Sequence, residues 1–356
     1  MPSVSMPNVS IPGVSRRSVV IAAAGLMVLT GATVAQSQSV EEFYKGRQIT
    51  MIVYSPAGSA YDIYARVLIR HMGKHIPGNP NFIVQYVVGA GGLKAIETLY
   101  RIAPKDGSVM GTVGRGLPFE PFLGRNELKY DPLRMTWIGS MNREATLAMS
   151  WHTSKVKTYE DLTKMELLVP GTGAGADSEI IPLAFNSLAG TKFKIISGYR
   201  NSTEAALAME RGELEGMAYW SWTAVKSIHP NWVPEKKINM LFHTGTETLA
   251  EIPDVRLIRN LVKNPTDKEA LEFVLAREIL GRPFLAPPDL PPDRAAAIRN
   301  AFDATMKDPE FLKEAAKAKL DVDLVTGAEV DKVLKDASTA PASVIERVKQ
   351  SLARGK

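Results

Sequence analysis

The chain reads as an α/β protein of two domains that face one another across a ligand cleft, and three observations predict this. Its 356 residues exceed one typical domain and suggest two. Short β-branched runs alternate with helical patterns, the arrangement that builds parallel sheets. Small residues, glycine above all, stand between these runs and the helices that follow. Such turns let a backbone come close to a ligand, and a helix N-terminus offers unpaired N–H groups with a partial positive charge. In open α/β sheets ligands accordingly bind at the strand carboxyl ends.

In the first set, Ile49–Val53 reads as a strand, Pro56-Ala57-Gly58-Ser59-Ala60 as the turn, and the next residues as a helix. Tyr61, Tyr64, Leu68 and Met72 share one face of that helix, and Pro77-Gly78-Asn79-Pro80 stops it. Phe82–Val88 is a second strand, Gly89-Ala90-Gly91-Gly92 opens a helix over Leu93–Arg101, and Val109–Val113 is a third strand ending at Gly114-Arg115-Gly116. The second set repeats the unit. Glu166–Val169 leads through Gly171–Ala176 into a helix over Asp177–Leu188. Phe193–Ile196 leads through Gly198–Ser202 into a helix reaching Arg211, and Glu215–Tyr219 ends at Trp220-Ser221-Trp222. From Pro291 the chain is mostly helical, with helices expected over about 294–306, 309–318 and 328–354.

Apolar residues make up 45% and charged residues 23%, which suits a globular protein with a sizeable core. There is no cysteine, which excludes disulfides, thiolate chemistry and a lipidated cysteine anchor. The first 35 residues stand apart: they hold no acidic residue, and Arg16 and Arg17 are the bases. Ser15-Arg16-Arg17-Ser18-Val19-Val20 has the form of a twin-arginine export signal, and Thr33-Val34-Ala35 offers a small-residue cleavage site. A membrane anchor is the competing reading, but Gly25, Thr30, Gly31 and Thr33 interrupt the apolar run and leave it short for a spanning helix. Residues 1–35 therefore read as a signal peptide removed near Ala35, which places the mature protein in the periplasm. Without the two arginines, 41 basic residues face 38 acidic ones, a balance too even to suggest nucleic acid.

The stretch Gly46–Arg66, GRQITMIVYSPAGSAYDIYAR, resembles the opening of the periplasmic receptors of tripartite tricarboxylate transporters, the Bug family. Asp62-Ile63-Tyr64-Ala65-Arg66 is similar to the family's helix start, and Gly89–Gly92 and Ala103–Gly107 to its next two motifs. Gly171–Ala174, Gly198-Tyr199 and Gly212–Gly216 are similar to its second-domain motifs. The resemblance implies a bilobal, type II-like periplasmic binding protein with a cleft between two α/β domains. Residues 41–143 and 280–356 would form domain 1 and residues 144–279 domain 2, with hinge crossovers near Glu144–Leu147 and Ile279–Pro283. Ser59 departs from the family's usual second glycine, and Arg115 from a loop more often occupied by small polar residues.

Candidate binding residues follow from both readings. Ala57, Gly58, Ser59, Ala60, Tyr61 and Asp62 form the first segment, where the amides of Gly58, Ser59 and Ala60 and the Ser59 hydroxyl are expected to meet an anion. Asp62 reads as an indirect contributor, suited to the helix dipole and to pairing with Arg66 at i+4. Thr172, Gly173 and Ala174 form the opposite anion loop. Gly171–Ala176 also fits a dinucleotide pattern, but Pro170 interrupts it and no acid ends the following strand to hold a ribose. Arg115 can grip a carboxylate with its planar fork, against the alternative of a surface arginine on a flexible loop. Tyr61, Tyr199, Trp220 and Trp222 stand at strand ends and can wall a planar ligand or pack in the core. His71 and His75 have metal-compatible spacing, yet a solvated helix end explains them better.

These readings give a monomeric, non-enzymatic receptor that captures a small organic carboxylate, planar or aromatic rather than citrate-like, and delivers it to an integral membrane permease. No catalytic residue, metal or cofactor is expected. Two alternatives are a secreted α/β enzyme acting on a carboxylate and a receptor signalling to a sensor kinase. N-terminal sequencing of periplasmic material should begin close to Gln36; an intact Met1 in a membrane fraction would instead establish an anchor.

Overall fold

In the computed structural model the described residues are 38–353 except Asn126, Ala174 and Gly175, so the expected export segment and Ala174 lie outside them. Residues from Ser39 onward form one compact unit. Among the described residues no helix is long and apolar enough to cross a membrane.

The chain opens with a short helix α1 (Val40–Tyr44), then β1 (Gln48–Val53), α2 (Ala60–Met72), β2 (Asn81–Tyr86), α3 (Leu93–Arg101), β3 (Val109–Thr112) and β4 (Thr136–Ser140). It continues through β5 (Thr146–Trp151), α4 (Tyr159–Leu162), β6 (Leu167–Gly171), α5 (Asp177–Ala189), β7 (Phe193–Ser197), α6 (Ser202–Glu210), β8 (Gly216–Ser221), α7 (Trp222–Ile228), β9 (Ile238–His243) and α8 (Pro265–Leu275). Then come β10 (Pro283–Ala286), α9 (Pro292–Thr305), α10 (Pro309–Lys317), β11 (Val325–Thr326), α11 (Gly327–Ser338) and α12 (Ala342–Leu352).

Six strands form one sheet in the order β11-β4-β10-β3-β1-β2. β1 is parallel to β2 and β3, whereas β10 runs antiparallel to β3 and β4. Alternation along β1 sets the two faces: Ile49, Met51 and Val53 pack with Tyr64, Leu68 and Phe302, while Ile52 faces Ile96 and Leu99 of α3. The remaining strands form an antiparallel set β8-β5-β9 and a parallel pair β6-β7. The pair lies beside β8, since Glu215 donates its amide to the Leu168 carbonyl at 3.0 Å.

The parallel β–loop–α units expected from sequence are present in both sets. The antiparallel strands β4, β5, β9, β10 and β11 were not expected; β4, β5 and β10 flank the two places where the chain crosses between the sheets, and β9 and β11 are edge strands. At the crossovers the two segments run side by side, with Glu144 donating its amide to the Glu278 carbonyl at 2.7 Å and Gly281 donating to Asn142 at 3.1 Å. The last helix expected over 328–354 is two helices. Pro341 lacks an amide hydrogen and disfavours helical geometry in Ala340, so α11 ends at Ser338 and α12 starts afresh. α11 packs on β4, and α12 lies on α5 and α8, where Arg347 reaches Asp267 at 2.6 Å.

Phe302 is fully buried, 5.9 Å from the Phe284 ring, and fills the space left by the missing side chain of Gly139. Phe302→Ala should lower unfolding free energy by about 3–5 kcal/mol in urea denaturation, the usual cost of an aromatic cavity.

Candidate ligand-binding site

A cavity of about 280 Å³ lies where the carboxyl ends of β1, β2 and β3 meet those of β6, β7 and β8. The loops after the first five of these strands, and the end of β8 with α7, contribute to its wall, in keeping with strand-end binding. Of the sequence-predicted residues, Ser59, Ala60, Tyr61, Arg115, Thr172 and Trp220 line it. Ala57, Gly58, Asp62, Gly173 and Tyr199 are not among its lining residues.

The first loop uses most of its polar groups on itself. Gly58, at φ +81°, donates its amide to Asp62 Oδ2 at 2.8 Å, and Ser59 donates its amide to the Pro56 carbonyl. The Ser59 hydroxyl caps α2 by accepting from the Asp62 amide at 3.3 Å and sits 2.6 Å from the Ser55 hydroxyl. The Gly58 and Ser59 amides expected to face an anion are thus engaged within the turn. Asp62 is buried, accepts also from Tyr86 and pairs with Arg66 Nε at 2.9 Å, so it rigidifies the loop from within.

The donors that remain are the first two amides of three helices. Among the described residues, no hydrogen bond within the chain engages the amides of Ala60 and Tyr61 (α2), Asp177 and Ser178 (α5), or Ser202 and Thr203 (α6). All six residues line the cavity. The turns behind them are fixed by side chains: Asn201 caps α6 by accepting from Glu204 at 2.9 Å, and the Thr172 hydroxyl lies 2.8 Å from that of Ser178. Gly92, at φ +98°, starts α3 against the same space, where a Cβ would meet the Tyr54 and Leu117 side chains at 2.8 and 2.9 Å.

Arg115 is buried rather than on a mobile surface loop, with its guanidinium 4.9 Å from the Tyr219 ring centre. Three carboxylates surround it: Glu144 at 3.4 Å, Asp177 at 3.5 Å and Glu278 at 3.8 Å. These distances give charge compensation without hydrogen bonds, and its Nε has no hydrogen-bond partner. Glu144 is bound more tightly elsewhere, to Arg282 Nη1 at 2.6 Å and to the Ser221 hydroxyl at 2.8 Å. Arg282 is fully buried and lies 4.7 and 4.9 Å from the ring centres of Tyr61 and Tyr64. Glu278 accepts from Thr244 at 2.5 Å and Thr146 at 3.0 Å; burial pushes its carboxyl up from the ordinary range, with Arg115 opposing. Burial likewise raises the Tyr54 and Tyr219 phenols well above their ordinary range, so both stay neutral hydroxyls in the cavity wall.

Sequence reasoning missed Asp177 as a site residue, together with Tyr54, Ser178, Tyr219 and Arg282. Asp177 was read only as a helix start, and Arg282 lay inside the expected second crossover without a role. Trp220 lines the cavity with its ring packed 5.5 Å from Trp232, whereas Trp222 gives its indole N–H to Glu251 at 2.5 Å, and Tyr199 packs into the cluster beneath. His71 and His75 hold α2 to the α10 region, 2.6 Å from Glu314 and 2.8 Å from Asp308. His71, Asp308 and Glu310 cluster closely enough to consider a metal, but the Lys74 ammonium lies 2.7 and 2.6 Å from the two carboxylates.

Removing one partner of a buried pair leaves an uncompensated charge. Arg282→Ala should therefore cost about 3–5 kcal/mol of stability, and Glu144→Gln combined with Arg282→Met distinctly less, as read by thermal or urea unfolding. Equal losses in the two variants would show that the charges are not what holds this region.

Three solved structures resemble the chain over nearly their whole length. The periplasmic binding protein BugD superposes with TM-score 0.68 at 17% identity, covering 86% of this chain and 98% of its own. The malate-bound MatC of Rhodopseudomonas palustris gives 0.66 at 16%, covering 86% and 99%. An adipate-bound protein of R. palustris gives 0.64 at 14%, covering 85% and 97%. At these identities the likeness establishes the fold, that of the bilobal periplasmic binding proteins. Among curated protein sequences none matches the chain. The sequence profile of the tripartite tricarboxylate transporter family receptor matches residues 64–349, and the chain belongs to that family.

Proposed function

We propose that the protein is exported to the periplasm, binds a small organic carboxylate in this cavity as a monomer, and passes it unchanged to an integral membrane permease. The observation that carries the reading is the convergence on one cavity of N-terminal amides from α2, α5 and α6 that no hydrogen bond engages among the described residues. Each helix end contributes only about 0.3–2 kcal/mol toward an anion, while micromolar binding needs about 8. Three such ends supply at most about 6 kcal/mol together, so Arg115 and the exclusion of water on closure are needed as well. Arg115 lines the same cavity with its charge held by Glu144, Asp177 and Glu278, and its buried Nε has no hydrogen-bond partner among the described residues. Tyr54, Tyr61, Tyr219 and Trp220 offer walls suited to a planar acid. Relatives of the same fold that hold malate and adipate support the same ligand class.

Closure belongs to this reading. Residues 41–143 with 280–356 and residues 144–279 act as two hinged parts that move about Glu144–Leu147 and Ile279–Pro283. The mature protein should be screened by thermal shift against carboxylates and their neutral amides, since a ligand of the folded state raises the melting point. At least one carboxylate should stabilise where its amide does not, and no bound compound should be turned over. A screen in which no carboxylate stabilises removes the reading. For the acid so found, Arg115→Ala should weaken binding on the order of a hundredfold in calorimetry, and Arg115→Lys should recover only part because the planar fork is lost. A loss under about threefold with the fold intact would assign Arg115 to structure alone.

A further inference from the structure

We propose that Asp177 selects, within the carboxylate class, a ligand that also carries a hydrogen-bond donor, best an ammonium group and next a hydroxyl. The proposal rests on the carboxylate reading above and adds a second requirement at the same site. Asp177 differs from the other acids around Arg115. Its side chain is 21% exposed and lines the cavity, whereas those of Glu144 and Glu278 are 1% exposed. Its Oδ1 is fixed by Arg277 Nη1 at 2.7 Å. Its Oδ2 stands 3.5 Å from Arg115 Nε and accepts no hydrogen bond among the described residues.

An aspartate at the first position of a helix ordinarily just complements the dipole. Here the carboxylate is instead held across the cavity floor against Gly116, where a Cβ would collide with both Asp177 Oδ1 and Arg277 Nη1. The charges around it already balance, with Arg115, Arg277 and Arg282 facing Glu144, Asp177 and Glu278. Arg200, on the cavity rim, is 85% exposed and tied to Glu204 at 3.2 Å. A ligand whose carboxylate is taken by the helix amides therefore finds no uncompensated side-chain cation for a further negative group. It finds an open acceptor. When the cavity closes, that acceptor loses water and needs a donor from the ligand.

The test is calorimetry on the mature protein with matched sets: succinate, malate and aspartate; adipate and 2-aminoadipate; benzoate and its 3-hydroxy and 3-amino derivatives. In a set that binds, the donor-bearing member should bind at least about tenfold more tightly than its parent, the scale of one charge-assisted hydrogen bond. In Asp177→Asn that advantage should fall below about threefold, because the donor of the ligand no longer meets a carboxylate. Parent acids that match their derivatives in the wild type overturn the proposal and leave the carboxylate reading standing. An advantage that survives Asp177→Asn overturns the role of this residue. If no member of any set binds, both readings fall. Should Asp177→Asn not fold, the wild-type comparison decides alone.

Discussion

The ion pair between Glu144 and Arg282 is the contact on which the arrangement of the molecule depends. Each partner sits on a different crossover, so this pair, with the backbone hydrogen bonds between the two segments, fastens the places where the chain passes between its sheets. Arg282 is also placed between Tyr61 and Tyr64 of α2, while Glu144 takes the Ser221 hydroxyl at the end of β8. One buried pair thus sets the first loop, both crossovers and the last strand of the second set relative to one another. An arginine suits the position because its guanidinium can stack on rings and donate in several directions at once; a lysine could do only the second. Burying two charges is costly, and the cost is offset only where partners are nearly complete. Arg282 also donates to the Gly281 carbonyl at 2.7 Å and to Ser221 at 3.1 Å, which engages both its terminal nitrogens and leaves the Nε without a partner among the described residues.

The cavity above this pair is polar without being strongly charged. Its cations are matched by acids in the same cluster, and under the proposed function aligned peptide dipoles supply much of its attraction for anions. Dipoles are fixed by the backbone and need no reorganisation when a ligand arrives. That economy explains why serine, alanine and threonine suffice in the loops around it, and why side-chain chemistry is concentrated below rather than in the first turn.

Much of this was legible in the sequence. Each β-branched run followed by small residues and an amphipathic stretch became a strand, a loop and a helix, and the loops did gather around one cavity. The pairing of Asp62 with Arg66 was also legible, because i,i+4 contacts are local. What Asp62 does to Gly58 was not, since a tight turn decides which amides face inward only once it is folded. The charged cluster was hidden for another reason. Arg115, Glu144, Asp177, Glu278 and Arg282 belong to four separate stretches, and burial of each is decided by tertiary packing alone. The antiparallel strands escaped because sequences such as Thr146-Leu147-Ala148-Met149-Ser150-Trp151 hold a single β-branched residue and read equally well as helix or strand.

The course of the last helix bears on how such a molecule can move. Two crossovers alone would resemble a strip hinge, free to open and also to twist. α12 adds a brace: after α11 lies on β4, the chain turns at Pro341 and lays its final helix across α5 and α8, with Arg347 clamped to Asp267 and Ser187. A joint tethered along three lines has fewer ways to swing than one tethered along two. Under the proposed hinge, the C-terminal helix would turn a loose joint into a guided one, in which the two walls of the cavity approach along a repeatable path.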